Sequence, residues 1–558
     1  MRFNYINQAM EVMTAKLTLA LLLVCIYFVP FTAVSGNETV QQGSFAEQLH
    51  ALIAADYTEK EQIILSLTAI EDKQVLLILR SMADSRLFYI KNNERVVLTE
   101  ERDAKLYITD AITGEALGLI ESDAVKKINL NNKLRSQLKN EIAKLSLMNS
   151  DRAVRLAAIN ELIASSNEES IALLRARQGI ENDAEVIAAI NAGIAIADIS
   201  SEDRGTRIRA ILSLRESLIP QARQALESIV SRDDAGKYIE TDQELRKHAQ
   251  RTLAGIQAKV RAYYLAETIF FGISLGSVLL LSAIGLAITF GVMGVINMAH
   301  GELMMIGAYT TYIIQSMFPN LLEYSLFISI PAAFIVSGLF GIAIERGIIR
   351  FLYGRPLETL LATFGVSLIL QQLVRSTISA QNVIVSTPAW MSGSLQINPV
   401  LSITYNRLYI IVFSLFVFVA LLYVLKKSVL GLQVRAVSQN RNMARAMGVR
   451  SARVDALTFG LGSGIAGVAG VALSQLTNVG PNLGQSYIID SFMVVVFGGV
   501  GNLWGTLVGA MSLGVINKFL EPVSGAVLAK ILLLLFIILF IQKKPRGLFP
   551  QKGRSAEN

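Results

Sequence analysis

The chain divides into a polar half and an apolar half, and this division determines most of what the sequence predicts. From Gly36 to Arg261, charged and amide residues are interspersed with short apolar groups, as in a domain surrounded by water. From Tyr264 to Gln542, long apolar runs dominate. A helix that crosses a bilayer needs about 20 predominantly apolar residues. We therefore expect an all-α chain, with a polytopic membrane domain preceded by a separate, mostly α-helical domain.

About eight membrane spans are predicted in the apolar half. The candidates are residues 268–290, 296–317, 325–345, 357–375, 407–425, 455–475, 488–518 and 526–542. The stretch 488–518 is too long for one crossing. We expect it to turn near Gly498–Asn502, and either to cross twice or to dip and return. In the span 455–475, glycines recur every two to four residues, which indicates closely packed helices.

Helical repeats are predicted in the polar half. The motif Asp151–Ile159 is echoed at Asp183–Ile190 and Arg207–Leu214, with a fourth candidate copy at Leu245–Leu253. Ala, Leu and Ile at helical spacing are typical of stacked helix pairs similar to HEAT repeats. An amphipathic bundle with chance similarity is the alternative. Between Leu87 and Ile108, short apolar runs and turn residues predict a small β-hairpin.

The first residues have the pattern of an export signal. Arg2 and Lys16 precede an apolar stretch that ends at Pro30, and Ala33–Ser35 provides the small residues that a signal peptidase requires. We expect residues 1–35 to be a signal peptide, with a retained anchor as the alternative. The single cysteine, Cys25, excludes an internal disulfide framework.

The positive charge predicts the orientation in the membrane. Seven Lys and Arg residues and no acid lie between residues 426 and 453, and another basic cluster begins at Lys543. Both clusters adjoin apolar spans, which marks the cytoplasmic side and argues against a nucleic-acid partner. Threading the spans from these points makes residues 36–262 an extracytoplasmic domain. Residues 263–550 form the membrane domain, and residues 551–558 form a cytoplasmic tail.

Polar residues inside the apolar half suggest a pathway through the membrane. The segment Gly291–Tyr309 places Asn297, His300 and Glu302 among glycines and methionines. An acid at membrane depth costs about 2.5–3.5 kcal/mol on insertion scales, so it persists where it pairs or lines a path. The alternative is that His300 and Glu302 lie in a solvated cytoplasmic loop.

The basic loop predicts a short helix suited to docking. Its helical core runs from about Arg435 to Met447 and ends at Gly448, a common helix stop. An Ala/Met face and an Arg face fit a groove on a partner protein. A solvated loop that contacts anionic membrane lipid is the alternative. The candidate docking residues are Arg435, Asn440, Arg441, Ala444, Arg445, Ala446, Met447 and Gly448.

Residues 264–550 resemble the branched-chain amino acid permease family (LivH type). The resemblance is carried by Ile296–Glu302 (Ile-Asn-Met-Ala-His-Gly-Glu), Leu360–Gly365, the Arg435–Val437 loop and Phe497–Asn502. Ala444–Gly448 also falls where the coupling loop of ABC importer permeases has the Ala and Gly of its EAA-type motif.

Within that family, the chain resembles the urea-transporting branch (UrtB type). The features are the additional exported domain, the segment Arg350–Leu360 and the segment Gln381–Gly393. The resemblance implies a permease subunit of an ATP-driven importer of urea or short amides in the bacterial inner membrane. Branched-chain amino acids as the solute, and a passive urea or amide channel, remain open alternatives.

The resemblance also implies a set of partners. These are a second permease subunit, two cytosolic ABC ATPases and a periplasmic substrate-binding protein. The chain has no Gly-x-x-x-x-Gly-Lys-Ser/Thr phosphate loop, so we expect the partners to hydrolyse ATP. We expect no cofactor, no metal and no enzymatic activity of the chain's own.

Urea is neutral and offers both hydrogen-bond donors and an acceptor. Asn, Thr and carboxylate side chains can match these groups. The predicted pathway residues are Asn297, His300, Glu302, Thr363 and Asp490.

Overall fold

The computed structural model describes residues 39–549 except 69, 71–72, 103–104, 122 and 166. The predicted signal peptide with Cys25, and the predicted tail 551–558, lie outside the described residues. The chain forms two compact units that divide between Ser217 and Leu218. Both units are mostly helical, so the predicted all-α class is confirmed.

The first unit begins with three helices, α1 Thr39–Ala54, α2 Tyr57–Thr68 and α3 Lys73–Ala83. Their apolar faces share one core with the sheet that follows. Leu49, Ile64 and Leu79 from the helices cluster with Leu87 and Val96 from the strands.

The predicted β-hairpin is part of a larger antiparallel sheet. Its strands are β1 Leu87–Ile90, β2 Val96–Arg102, β3 Lys105–Asp110, β4 Ala116–Ile120 and β5 Val125–Lys127, in the order β4-β3-β2-β1-β5. The sequence analysis missed β4 and β5, which are short. Gly114 in the β3–β4 turn has a φ of 71°, a left-handed conformation that glycine adopts without strain.

Five helices follow the sheet: α4 Asn132–Ser146, α5 Arg152–Ser165, α6 Glu168–Gln178, α7 Ala184–Asp198 and α8 Arg204–Ser213. The first two copies of the repeated motif lie in α5 and α7. Asp183 caps α7 by accepting hydrogen bonds from the backbone N–H groups of Glu185 and Val186. Gly193 of α7 packs against Ile163 of α5 and Leu174 of α6, leaving no room for a side chain.

A buried ion-pair cluster fastens the loop between α6 and α7. A carboxylate oxygen of Glu181 lies 3.1 Å from Arg155 Nε and 2.9 Å from Arg177 Nη2. Burial alone would raise the pKa of Glu181. Hydrogen bonds from the Asp183 backbone and from Arg177 outweigh that effect and lower the pKa from 4.5 to about 2. The negative charge of Glu181 therefore stabilises this part of the fold.

We predict that Glu181→Gln destabilises helices α5–α7 by about 1.5–3 kcal/mol, the usual contribution of a hydrogen bond to a charged group. Because the folded-state pKa is depressed, the contribution is present above pH 4.5 and lost as the pH falls towards 2. Hydrogen exchange of the full chain measures both effects. Glu185→Gln is the control, since its ion pair with Arg152 is exposed and worth about 0–1 kcal/mol. Equal exchange in both variants would contradict the prediction.

The second unit begins with α9 Pro220–Val230 and the 51-residue helix α10 Gln243–Met293. At 1.5 Å per residue, α10 is about 76 Å long. It contains both the fourth candidate repeat and the first predicted span. The predicted domain boundary at residue 262 therefore falls inside a continuous helix.

Seven helices of the described chain are long and apolar enough to cross a membrane. The helices that follow α10 are α11 His300–Met317, α12 Ser325–Gly347, α13 Pro356–Thr377, α14 Tyr405–Lys427, α15 Val429–Gln439, α16 Arg441–Ala446, α17 Ser451–Ser474, α18 Leu483–Gly498, α19 Leu503–Ser524 and α20 Ala526–Lys543. Two short strands, β6 Ser394–Gln396 and β7 Ser402–Thr404, precede α14. The seven are α10, α12, α13, α14, α17, α19 and α20. The predicted turn at Gly498–Asn502 is confirmed, since it separates α18 from α19.

Helix α17 lies at the centre of the membrane bundle and packs against α10, α11 and α12. Its glycines permit this close approach, as the sequence predicted. The backbone of Gly467 lies against Gly307 of α11, and Gly470 lies against the Met304 carbonyl. The burial of most of α17 therefore depends on the absence of side chains at these positions.

Candidate functional site

The polar segment predicted as a pathway forms a break between two helices. Helix α10 ends at Met293 and is capped by Gly294, whose N–H donates to the Phe290 carbonyl and whose φ of 68° turns the chain out of the helix. The chain then runs without helical structure to α11, which begins at His300. Asn297 Oδ1 accepts a hydrogen bond from the Ala299 backbone at 3.0 Å. The polar side chain therefore holds the irregular backbone that the glycine permits.

Thr363 of α13 supports the same break from the opposite side. Its hydroxyl accepts a hydrogen bond from the Met298 backbone N–H at 3.1 Å and lies 3.1 Å from the Leu360 carbonyl. Two predicted pathway residues, Asn297 and Thr363, are therefore brought together. Both stabilise unpaired backbone at the start of α11.

His300, the first residue of α11, contacts α10 well before the end of that helix. Its Nε2 lies 2.8 Å from the Ser282 carbonyl oxygen in α10. Ser282 precedes the end of α10 by eleven residues, or about 16 Å. His300 and Glu302 are fully buried, with 0% and 1% exposure. The alternative of a solvated loop for these two residues is therefore wrong.

Glu302 lies in the first turn of α11 and forms a buried polar cluster with α13. Its Oε1 accepts hydrogen bonds from Ser367 at 3.0 Å and Gln371 at 2.7 Å. Its Oε2, Asn297 Nδ2 and His300 Nδ1 have no hydrogen-bond partner among the described residues. A carboxylate in the first turn is favoured by the helix dipole. The cluster thus offers a free acceptor oxygen inside the bundle.

The sequence analysis missed Ser367 and Gln371, although a signal was present. Polar residues recur every fourth position along α13, which places them on one helix face. The stripe consists of Thr359, Thr363, Ser367, Gln371 and Arg375. The first four are buried, and Arg375 donates to Asn482 Oδ1 at 2.7 Å.

Helices α11 and α18 begin next to each other. The backbones of Gly301 and Gly484 are in such close contact that neither position can hold a side chain. Ser491, further along α18, donates to Ser282 Oγ of α10 at 2.9 Å. The start of α18 therefore belongs to the same buried polar region.

Asp490 pairs elsewhere in the bundle. Its Oδ2 lies 3.1 Å from Lys530 Nζ of α20, and the Asp490 side chain is 11% exposed. Among the described residues, no hydrogen bond links it to the Glu302 cluster. The structure thus connects four of the five predicted pathway residues to the break before α11 and leaves Asp490 in a separate ion pair.

The predicted docking helix is two short helices. Asn440 has an extended backbone, with φ −149°, and its side chain accepts a hydrogen bond from the Met443 N–H at 2.9 Å. It therefore ends α15 and caps α16, so the single helix predicted from Arg435 to Met447 is wrong. The predicted stop at Gly448 is confirmed by its φ of 86°.

The predicted docking residues point in different directions. Met447 is 79% exposed, and Asn440, Ala446 and Gly448 are also exposed. Met443, which the sequence analysis did not select, is 61% exposed beside them. We call these exposed residues the docking patch, after the prediction that they bind a partner protein.

The remaining predicted docking residues contact the chain itself. Ala444 is buried, and Arg435 donates to the Leu425 carbonyl. Arg445 Nε donates to Ser451 Oγ at 2.7 Å. Arg441 is turned towards Asp455. Arg435 and Arg445 remain exposed although their guanidinium groups bind the chain itself, which a basic pattern alone could not show.

Comparison with known proteins identifies the family. The family model described as "Branched-chain amino acid transport system / permease component" matches residues 268–541. The permease protein BraD of a high-affinity branched-chain amino acid transport system from Pseudomonas aeruginosa is 31% identical over 295 residues. This alignment covers 51% of this chain and 96% of BraD.

LivH of Salmonella typhimurium, named for the same kind of system, is 30% identical over 294 residues, which cover 51% of this chain and 95% of LivH. The ribose import permease protein RbsC of Bacillus subtilis is 32% identical over 111 residues, which cover 19% of this chain and 34% of RbsC. No solved structure matches. The helices that build the polar cluster and the docking patch all lie within the matched residues. The chain therefore belongs to the family of permease components of branched-chain amino acid transport systems.

Proposed function

We propose that this chain is one of two permease subunits of an ATP-driven importer in the bacterial inner membrane. Of two cytosolic ABC ATPases, one would bind the docking patch of this chain, and a periplasmic protein would deliver the solute. The observation that carries this proposal is the exposed pair Met443 and Met447. The two methionines lie on a short segment that ends at Gly448 and also contains arginines. A channel that works without a motor has no need of such a surface.

The positions of the basic residues support a cytoplasmic location for this patch. The end of α10, Lys426, Arg435 and the turn at Gly501–Asn502 line one cavity. Gly499 of that turn also contacts Arg546, beyond α20. Basic residues from three parts of the chain therefore gather at one end of the bundle, as expected for the cytoplasmic end. We propose that the C-terminus lies on this side and the residues before the first span lie in the periplasm.

Branched-chain amino acids are the solute that the relatives support best. BraD and LivH are both named for branched-chain amino acid transport, and each aligns over nearly its whole length. We therefore propose an amino acid of this class as the first candidate.

Urea or a short amide is the second candidate, and the polar cluster favours it. Glu302 Oε2 is a buried acceptor without a partner among the described residues. The other oxygen of the same carboxylate, Oε1, accepts hydrogen bonds from the Ser367 hydroxyl and the Gln371 amide. An amide N–H group can satisfy such an acceptor without bringing a net charge into the bundle.

Uptake by reconstituted vesicles separates these candidates. Vesicles that contain the chain and its partner subunits would be supplied with ATP, the binding protein and radiolabelled leucine or urea. Uptake of leucine that excess unlabelled leucine and isoleucine suppress, and urea does not, would support the first candidate. The reverse pattern would overturn it and support the second.

We predict that Glu302→Gln lowers uptake roughly tenfold if the free oxygen accepts a hydrogen bond from the solute. Glutamine retains an oxygen for Ser367 and Gln371 but replaces the free acceptor with a donor. Initial uptake rates at several solute concentrations measure the effect. Thr310→Ala, on the same helix, is the control, since its hydroxyl donates to its own helix backbone. Unchanged uptake by Glu302→Gln would show that the oxygen serves the fold alone.

A further inference from the structure

We propose that the Arg441–Asp455 ion pair is the joint that transmits movement of the docking patch to helices α17 and α12. This inference rests on the proposed ATP-driven function. It assigns Arg441 a positioning role inside the permease in place of direct contact with an ATPase.

The geometry of the pair is that of a rigid connection. Arg441 Nη1 and Nη2 lie 2.8 and 3.0 Å from the two carboxylate oxygens of Asp455. Such a bidentate pair fixes orientation as well as distance. Arg441 is the first residue of α16, and Asp455 lies in the second turn of α17. The pair therefore ties the docking patch to the beginning of the central helix.

A second set of contacts extends from Arg441 to α12. The guanidinium carbon lies 4.8 Å from the centre of the Tyr353 ring, in a cation–π contact. Tyr353 Oη donates to Glu345 Oε1 at 3.3 Å. Glu345 is buried near the end of α12, and Arg346 Nε lies 3.6 Å from its other oxygen. One arginine thus connects the docking patch with both α17 and α12.

Burial makes this connection stiff. The Asp455 side chain is 1% exposed, so separation from Arg441 would leave a buried charge without its partner. Helices α17 and α12 pack closely along their lengths, and α17 also contacts α10 and α11. A displacement of α16 must therefore move the beginning of α17 or break the pair. This is the property required of a mechanical link between an ATPase and a permease.

The test compares ATP hydrolysis with transport in the full complex. Arg441→Ala and Asp455→Asn would be reconstituted with the partner subunits. Solute transported per ATP hydrolysed would be measured beside ATPase co-purification. We expect roughly tenfold less solute per ATP, within the usual range of coupling between sites, with ATPase binding retained. Arg453→Ala is the control. It removes the same positive charge as Arg441→Ala, from an exposed residue two positions before Asp455.

If the single variants do not fold, a double variant that combines Arg441→Asp with Asp455→Arg restores an ion pair of the opposite orientation. Recovery of the transport-to-ATP ratio in the double variant, relative to either single change, supports the joint. If Arg441→Ala and Asp455→Asn transport as much solute per ATP as the wild type, and the wild type requires ATP, the ion pair is not the joint but the proposed function still holds. A wild-type complex that transports without ATP would overturn the proposed function itself.

Discussion

Replacing Gly470 with leucine is expected to prevent the membrane unit from reaching a stable fold. A Cβ atom at this position would collide with the Met304 carbonyl oxygen and lie 2.8 Å from the Ala308 nitrogen. Both are backbone atoms of α11, so the collision cannot be relieved by rotating a side chain. Overpacking a core by a few carbons costs about 1–3 kcal/mol or more, and here two central helices would have to separate. The yield of monodisperse protein after extraction into detergent measures the loss.

Gly365→Leu provides the matched control for this change. Gly365 also lies in a membrane helix, α13, but nothing lies within 4 Å of a Cβ atom placed there. The control should yield as much folded protein as the wild type. Equal yields of Gly470→Leu and Gly365→Leu would mean that α11 and α17 are not packed as described.

The double change Met443→Glu and Met447→Glu is expected to remove ATP-driven transport almost completely. Both methionines are well exposed on the docking patch, and methionine is a flexible apolar side chain suited to a protein interface. When the ATPase binds, the two glutamates would be buried where the methionines made the central apolar contact of that interface. Losing a few such contacts costs about 2–4 kcal/mol, or roughly a 30- to 1,000-fold weaker association. Co-purification of the ATPases and ATP-dependent uptake would measure the two consequences.

Met148→Glu tests whether this loss is specific. Met148 is 81% exposed but lies in the first unit, outside the residues that the family model matches. It should leave ATPase binding unchanged. Retained binding and uptake in the double variant would place the motor contact elsewhere on the chain.

The sequence predicted the membrane architecture well because long apolar runs have few alternatives. The turn at Gly498–Asn502 follows from the length of the apolar stretch 488–518, and the helix stop at Gly448 follows from the glycine. Both signals are local in the sequence. The division at Asn440 was missed because asparagine is tolerated within helices, and only its extended backbone shows that it acts as a cap.

The contacts between distant helices could not be predicted in the same way. Glu302 was predicted as a pathway residue with a solvated loop as the alternative, and the partners that bury it lie 65 and 69 residues away in α13. The four-residue period of that polar stripe was available in the sequence. Arg441 looked like any other base in the loop, and only folding places it against Asp455. The position of residues 36–262 outside the cytoplasm stays a prediction.

Solute import by vesicles containing the complete complex tests the account most directly. The wild-type chain would be combined with active partner ATPases or with ATPases that bind but do not hydrolyse ATP. We expect accumulation of solute against its gradient with the active subunits and none with the inactive ones. Equal import in both preparations would show that a cytosolic motor does not drive this permease.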